Sequence, residues 1–286
     1  MTLPGRSIER EIASALKNSG FILAYQPKLD LKTGIIYGAE ALLRMKDMSG
    51  LPMGIFDLIR VAESTGQIIE IGEFVMREAC KASALWMMDG VNVHVSVNVS
   101  VIQLMRSGFV EMVHDAITQA GIAPGGVEIE ITESVMINDP VRVIEVLRRL
   151  TDYGVKLSID DFGAGYSSLT YLKRLPVHAL KVDRSFVSNL ENDPSDQIVA
   201  QSIISLGHQF GLEVIAEGVE TDYQAEWLRA AGCDKAQGFF YGRPMSHEAF
   251  ADHVRAHYDT LRAARKQISP HINGKGAWQP LEKSCS

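Results

Sequence analysis

Short runs of β-branched and apolar residues alternate along the chain with longer segments of helical periodicity. The short runs predict eight strands, over residues 21–26, 35–43, 93–99, 127–132, 155–160, 179–182, 213–216 and 235–239. The periodic segments predict helices over 7–17, 55–64, 68–88, 108–120, 139–153, 167–173, 195–210, 222–231 and 247–266. Glycines directly after several of these segments, and Asp-Pro pairs at 139–140 and 193–194, are typical of helix ends and starts.

The connections between the strands indicate how they are arranged. Residues 30–34 are too few for a crossover helix, so the first two strands should form an antiparallel hairpin. Helical segments separate the later strands, and the length suits an α/β fold that closes as a modified TIM (β/α)8 barrel with its first strand antiparallel to the rest. A doubly wound open sheet is the alternative, although no G-x-G-x-x-G turn is present. The predicted domains are a helical lead-in at 1–20, the barrel at 21–266 and a disordered tail at 267–286.

Composition narrows the class of protein. Of the 286 residues, 46% are apolar and 22% are charged, which is typical of a soluble globular enzyme. A net charge of −7 argues against a nucleic-acid polymer or an anionic membrane as partner. Residues 1–20 do not resemble a signal peptide, and no apolar run reaches the roughly 20 residues that a membrane helix needs. The three cysteines lack zinc-site spacing, and we expect a cytoplasmic protein without membrane insertion.

Polar residues recur near the carboxyl ends of the predicted strands. In a barrel of mostly parallel strands these ends meet at one face, where catalytic sites are built. The set could therefore converge on one cavity, although its members span most of the chain. It comprises Glu40, Asn98, Glu130, Asp160, Asp161, Lys181, Glu217 and Gln237.

Crowded carboxylates need a counter-charge. Two carboxylates 4 Å apart repel by about 4 kcal/mol at an effective dielectric constant of about 20. Oxygen ligands favour Mg²⁺ or Mn²⁺ over zinc, and this many acids indicate two ions, which can promote in-line displacement at phosphorus. Taken singly, Glu130 or Asp161 could equally be a solvated loop residue or a helix cap. Lys181 could form a structural ion pair, or it could orient or deprotonate a water molecule.

The ordered motifs resemble those of the EAL domain family, the cyclic di-GMP phosphodiesterases. Besides Glu40-Ala41-Leu42, they include Tyr25-Gln26-Pro27, Asn98-Val99-Ser100, Glu130-Ile131-Thr132-Glu133-Ser134, Asp160-Asp161-Phe162-Gly163-Ala164-Gly165-Tyr166-Ser167-Ser168, Leu180-Lys181-Val182-Asp183, Glu217-Gly218-Val219-Glu220 and Gln237-Gly238-Phe239. Two positions depart from the family pattern, Ala164 and Phe239, and neither is an expected ligand.

The resemblance implies a barrel with an antiparallel first strand, bacterial second-messenger signalling and hydrolysis of cyclic di-GMP to linear 5′-pGpG with Mg²⁺ or Mn²⁺. By position it implies metal ligands at Glu40, Asn98, Glu130, Asp160, Asp161 and Glu217. Catalytic roles fall to Lys181, Glu40, Asp160 and Asp161. Substrate contacts fall to Gln26, Arg44 and Gln237, and anchoring of the loop after Asp161 falls to Glu133 and Glu220. A homodimer is also implied.

Two other functions stay open at this point. The first is a receptor that binds cyclic di-GMP without cleaving it, although relatives of that kind usually lose ligands or the lysine. The second is a protein-interaction module that uses the barrel as a scaffold. An intact ligand set favours the enzyme.

Overall fold

The structure, a computed structural model, describes residues 4–46, 54–136, 139–163 and 172–268. Its eight strands close into a barrel in chain order. They are β1 (Phe21–Asp30), β2 (Ile36–Met45), β3 (His94–Asn98), β4 (Val127–Thr132), β5 (Lys156–Phe162), β6 (Ala179–Val182), β7 (Glu213–Ala216) and β8 (Lys235–Gln237). The predicted α/β barrel is confirmed.

The first strand runs against its neighbours. β1 pairs antiparallel with β2 on one side and with β8 on the other, whereas all pairs from β2 to β8 are parallel. The predicted hairpin is therefore confirmed, since the chain reverses between Asp30 and Ile36 without a helix. Because β2 to β8 point the same way, their carboxyl ends meet at one face of the barrel.

Helices surround the barrel. In the described part of the chain they are α1 (Pro4–Lys17), α2 (Ile55–Thr65), α3 (Ile68–Met88), α4 (Val101–Leu104), α5 (Phe109–Ala120), α6 (Pro140–Tyr153), α7 (Arg184–Ser188), α8 (Pro194–Gln209), α9 (Asp222–Ala230) and α10 (His247–Ile268). Within these ranges no helix is both long enough and apolar enough to cross a membrane.

Helix starts follow from local side-chain chemistry. Asp139 accepts a hydrogen bond from the backbone N–H of Arg142, and Asp193 accepts one from the N–H of Ser195, in each case beside a proline at the first helical turn. Gly154 ends α6 with φ of 103°, a left-handed conformation that favours glycine. The predicted caps are thus confirmed.

The element prediction was wrong at some boundaries and omitted two short helices, α4 and α7. β1 continues to Asp30 rather than ending at residue 26, because Pro27 and Lys28 pair with β2 and Lys28 also pairs with β8. β8 ends at Gln237 rather than at 239. Residues 167–171 of the predicted helix at 167–173, and residues 269–286 of the predicted tail, lie outside the described residues. The domain boundaries stay predictions.

Candidate active site

Most predicted site residues lie at the carboxyl ends of the strands around one cavity of about 820 Å³. Such a volume is at the upper end of the range of about 300–1,000 Å³ that is usual for small-molecule sites. The cavity is lined by Gln26, Glu40, Arg44, Asn98, Glu130, Asp160, Asp161, Glu217, Glu220 and Gln237. Lys181 is completely buried at its base, in contact with three of these acids.

The carboxylates converge in two overlapping groups. One oxygen from each of Glu40, Glu130 and Glu217 lies within 4.8 Å of the other two, and the same holds for Asp160, Asp161 and Glu217. Glu217 belongs to both groups, so the two clusters are adjacent. The strand-end acids are therefore brought together as the sequence predicted, and their roles stay predictions.

Lys181 is surrounded by negative charge. Its Nζ lies 3.0 Å from Asp160 Oδ1 and 2.5 Å from Glu217 Oε1, and it donates a hydrogen bond to Glu130 Oε2. Burial alone would lower the pKa of Lys181, but these acids outweigh burial and raise it well above its ordinary value. The side chain is therefore a protonated ammonium group at neutral pH.

Glu130 is held by two lysines. Its Oε2 accepts from Lys181, and its Oε1 accepts from Lys28, which also lies 3.3 Å from Glu128 Oε2. Burial opposes ionisation, yet the two lysines overcome it and lower the pKa of Glu130 to about 2. Sequence reasoning missed Lys28. Strand alternation could have found it, because Gln26 and Lys28 lie two residues apart and so share the face of β1 that points into the barrel.

Glu40 accepts two amide hydrogen bonds. Asn98 Nδ2 donates to its Oε1 over 2.6 Å, and Gln237 Nε2 donates to its Oε2 over the same distance. Gln237 Nε2 also lies 3.0 Å from Gln26 Oε1. These contacts join β1, β2, β3 and β8 through one polar network. They also leave Gln237 Oε1 buried without a hydrogen-bond partner in the described residues.

Asp161 has an unusual backbone conformation. Its φ is 53°, in the left-handed region that non-glycine residues rarely adopt, and its N–H lies 3.0 Å from Asp160 Oδ1. Burial, Asp160 and Asp183 together raise the pKa of Asp161 to about 6. Asp183, which sequence reasoning did not place in the site, lines the cavity and caps α7 by accepting from the N–H of Ser185. Its position two residues after Lys181 was the available signal.

The remaining acids resist ionisation. Burial, followed by the charges of the neighbouring acids, raises the pKa of Glu217 to about 8, with Lys181 opposing. Burial likewise raises the pKa of Glu40. In the described ranges, Lys28 and Lys181 are the two cations that pair with the site carboxylates, and they reach three of the five, Glu130, Asp160 and Glu217. Such a cluster is stable in fully ionised form only if further positive charge is supplied.

Divalent cations would balance this excess of negative charge. The available donors are carboxylate and amide oxygens, which Mg²⁺ and Mn²⁺ prefer, and no histidine or cysteine lines the described part of the cavity. The amide of Gln237, whose Nε2 donates to Glu40, also leaves its buried Oε1 without a partner in the described residues. The residues present therefore match a hard divalent cation in both charge and donor chemistry.

The other three predicted residues differ in their surroundings. Arg44 lines the cavity, but its Nη1 donates to the Leu43 carbonyl over 2.8 Å rather than to an acid. Glu220 pairs with Arg184 Nη2 over 2.8 Å at the rim. Both carboxylate oxygens of Glu133 are buried without a hydrogen-bond partner in the described residues. Residues 164–168 of the loop that Glu133 is predicted to anchor, at 161–168, lie outside the described residues, so the anchor stays a prediction.

The cavity also has an apolar wall. Helices α2 and α3 contribute Ile55, Phe56, Ile59, Ile68 and Ile71 to the lining of the cavity that also contains the acids. Phe56 is 81% exposed, so an aromatic face is available to a ligand. A ligand that carries both phosphate and flat aromatic groups would match the two sides.

Comparisons with known proteins identify the family. The family model described as "EAL domain" matches residues 9–244. In Pseudomonas aeruginosa, "Bifunctional diguanylate cyclase/cyclic di-GMP phosphodiesterase MucR" is 40% identical over 239 residues, 83% of this chain and 35% of the relative. "Cyclic di-GMP phosphodiesterase NbdA" from the same organism is 39% identical over 251 residues, 87% of this chain and 32% of the relative. The chain thus spans about a third of the length of these curated relatives.

Solved structures show the same barrel. The structure described as "PaMucR Phosphodiesterase, c-di-GMP complex" superposes with a TM-score of 0.81 at 39% identity, covering 85% of this chain and 99% of that one. An "EAL domain Protein from Listeria monocytogenes EGD-e" gives a TM-score of 0.72 at 34% identity, covering 85% of this chain and 96% of the other. The first of these proteins was solved with a cyclic dinucleotide.

Proposed function

This chain belongs to the EAL domain family, and from that premise we propose that it hydrolyses cyclic di-GMP, cleaving one phosphodiester bond to give linear 5′-pGpG. The observation that carries the proposal is the complete set of oxygen donors around Lys181, with no predicted ligand missing. The names of the relatives, cyclic di-GMP phosphodiesterases, support the same substrate.

Magnesium or manganese would be held by the two carboxylate groups. Glu40, Asn98, Glu130, Asp160, Asp161 and Glu217 supply oxygen donors for two ions, and Glu217 belongs to both groups. Bound divalent cations supply Lewis-acid stabilisation of charge at phosphorus and lower the pKa of a coordinated water. The number and identity of the ions are part of the proposal.

Lys181 would orient the attacking water rather than deprotonate it. The surrounding acids raise its pKa well above its ordinary value, so the ammonium group holds its protons and can only donate hydrogen bonds. It is fixed by three carboxylates and cannot swing into the cavity without breaking those contacts. A fixed donor at the base of the cavity can hold a water in line with a phosphate above it.

Substrate contacts would come from the cavity wall. Arg44 offers a guanidinium group suited to a phosphate oxygen, and Gln26 and Gln237 lie beside Glu40 at the base. The predicted homodimer and the cytoplasmic location are retained as predictions. Size-exclusion chromatography with light scattering would test the first.

The test is incubation of the purified chain with cyclic di-GMP and Mg²⁺ or Mn²⁺, followed by chromatography of the nucleotides. We expect linear 5′-pGpG to accumulate, and to disappear with EDTA or in the Glu40→Gln variant. Cyclic di-GMP that binds tightly but stays intact in the metal-replete sample would instead identify a receptor.

A further inference from the structure

Lys28 is a fully buried cation that no step of the proposed reaction uses. It lies near the end of β1 with 1% of its surface exposed, and it does not line the cavity. Its ammonium group contacts two acids on β4, Glu128 Oε2 at 3.3 Å and Glu130 Oε1. Burial opposes its charge, but Glu128 and Glu130 raise its pKa above the ordinary value, so the lysine is charged.

The two lysines approach Glu130 at different oxygens. Lys181 takes Oε2 and also contacts Asp160 and Glu217 at the base of the cavity. Lys28 takes Oε1 and makes no ion pair with Asp160 or Glu217 in the described residues. One oxygen of Glu130 is therefore directed toward the acidic cluster, while the other is fixed by a cation that the ligand-binding cavity does not reach.

We propose that Lys28 is a positioning residue that fixes the carboxylate of Glu130, so that only Oε2 is presented to the cation-binding cluster. The proposal rests on the proposed function in that Glu130 is taken as a metal ligand. A carboxylate can rotate about its last torsion, which has a broad energy minimum. A buried partner on one oxygen removes that freedom and selects single-oxygen ligation.

Glu128 has a separate task in this arrangement. It precedes Glu130 by two residues on β4, so both side chains share one face of the strand. Glu128 is 5% exposed and shares the ammonium group of Lys28. One lysine thus serves two buried carboxylates, and removing it alone would leave Glu128 unpaired and Glu130 with Lys181 as its remaining cation, which would destabilise the fold.

The paired substitution Lys28→Met/Glu128→Gln separates positioning from charge balance. It removes one positive and one negative charge, so the net charge near Glu130 is unchanged, while the contact to Oε1 is lost. Any change in cation affinity then reports the geometry of Glu130. Replacing groups that orient metal ligands typically costs 10–100-fold in metal affinity.

The measurement is Mn²⁺ binding to the full chain without nucleotide, followed by the electron paramagnetic resonance signal of the free ion. We expect Lys28→Met/Glu128→Gln to bind Mn²⁺ at least about tenfold more weakly than the wild-type chain. A second variant, Lys28→Gln/Glu128→Gln, makes the same comparison if the first does not fold, and should also bind at least about tenfold more weakly. Circular dichroism checks the fold of each.

Lys235→Met is the matched control. Lys235 is another mostly buried lysine of the barrel, but its Nζ pairs with Glu213 at 2.6 Å and contacts none of the site carboxylates in the described ranges. This variant should lose stability and keep the wild-type affinity for Mn²⁺. A loss equal to that of the Lys28 variants would assign the effect to barrel stability and overturn the positioning role.

Other outcomes are equally decisive. Mn²⁺ affinity within about twofold of wild type in the folded double variants would overturn the proposal, as would a wild-type chain that binds no Mn²⁺. Binding is measured with the metal alone, so an absence of 5′-pGpG would refute the phosphodiesterase function without touching the role of Lys28. The converse result is that the wild-type chain cleaves cyclic di-GMP while the double variants bind Mn²⁺ as well as wild type does. That result would overturn the role of Lys28 and leave the phosphodiesterase function standing.

Discussion

At the scale of single residues, the site contains more buried carboxylates than buried cations. Lys181 and Lys28 contact the acidic cluster, and they outweigh the cost of burial at Glu130 but not at Glu217. Glu130 is ionised across the physiological range, whereas the neighbouring Glu217 retains a proton near neutral pH. The pKa values of these two carboxylates differ because Glu130 contacts a lysine through each of its oxygens, whereas Glu217 contacts Lys181 through one.

Stability without metal should therefore depend on pH in an unusual direction. The pKa of Glu217 rises from 4.5 to about 8 on folding, so its ionisation favours the unfolded chain. Its contribution to stability is fully present below about pH 4.5 and is lost as pH rises toward 8; Asp161, raised to about 6, acts in the same direction. Thermal unfolding in EDTA should show the melting temperature falling between pH 5 and about pH 8.

Two controls accompany this measurement. Glu217→Gln should flatten most of the pH dependence, because the neutral amide does not titrate. Saturating Mg²⁺ should also flatten it, since cations bind the ionised acids and compensate their repulsion. A melting temperature that rises with pH in EDTA across this window would contradict the burial of an uncompensated acid at position 217.

Lys181→Met should affect folding as well as turnover. The ammonium group contacts three acids, so its removal leaves buried carboxylates unpaired, a change that typically costs about 3–5 kcal/mol. We expect a loss of this size in urea denaturation without metal, a smaller loss with Mg²⁺, and loss of most of the turnover measured with Mg²⁺. Lys81→Met, at an exposed position, is the control and should lower the free energy of unfolding by roughly 0.5 kcal/mol or less. Retained turnover in the Lys181→Met variant would exclude Lys181 from the reaction.

At the scale of elements, a glycine at the end of β8 keeps Gln237 in place. A Cβ on Gly238 would lie 2.0 Å from the carbonyl oxygen of Val219. Val219 cannot easily move away, because its backbone is hydrogen-bonded to Gln237 and to Phe240, on either side of that glycine. Gly238→Ala would push β8 away and displace the amide that donates to Glu40.

We expect Gly238→Ala to lower the free energy of unfolding by about 1–3 kcal/mol, the usual cost of overpacking. It should also weaken Mn²⁺ binding, because Glu40 loses a positioned donor. Gly126→Ala is the matched control, since its Cβ would meet no atom within 4 Å. Urea denaturation and metal titration of the two variants check the prediction, and equal behaviour would contradict it.

Periodic local signals made the elements predictable. β-branched runs marked the eight strands, and the short connection between β1 and β2 fixed their antiparallel pairing. The helices α4 and α7 were missed because four or five residues are too few to show helical periodicity. The end of β8 was placed too late, because the close approach of Gly238 to Val219 depends on tertiary packing that the sequence does not reveal.

The same limit applies to the site. Acids at strand ends were predictable because parallel strands bring their carboxyl ends together. Alternation along β1 could have placed Lys28 in the barrel interior, but its contact with Glu130 depends on β1 facing β4 across that interior. The Asp161–Asp183 contact depends on a left-handed backbone at Asp161. Partners across a closed barrel cannot be identified from spacing along one strand.

At the scale of the whole molecule, metal binding and stability should be linked. A cation that binds only the folded chain stabilises it by RT ln(1 + [L]/Kd), about 2.7 kcal/mol at a hundredfold excess over Kd. For a domain of this size the melting temperature should rise by about 5–10 °C with Mg²⁺. Differential scanning calorimetry of wild type and Glu40→Gln tests this, and an equal rise in both would place the cation elsewhere.

The antiparallel pairing of β1 with β8 also constrains how the protein is made. Lys28 lies opposite Gln237, and Gln237 donates to Glu40, so the pocket floor joins residues about 200 positions apart. Such high contact order slows folding. During synthesis on the ribosome, β1 and β2 emerge early and must wait with an unpaired edge until the last strand is translated. We therefore expect that edge to be prone to aggregation until β8 is made, and premature termination before β8 should yield insoluble fragments.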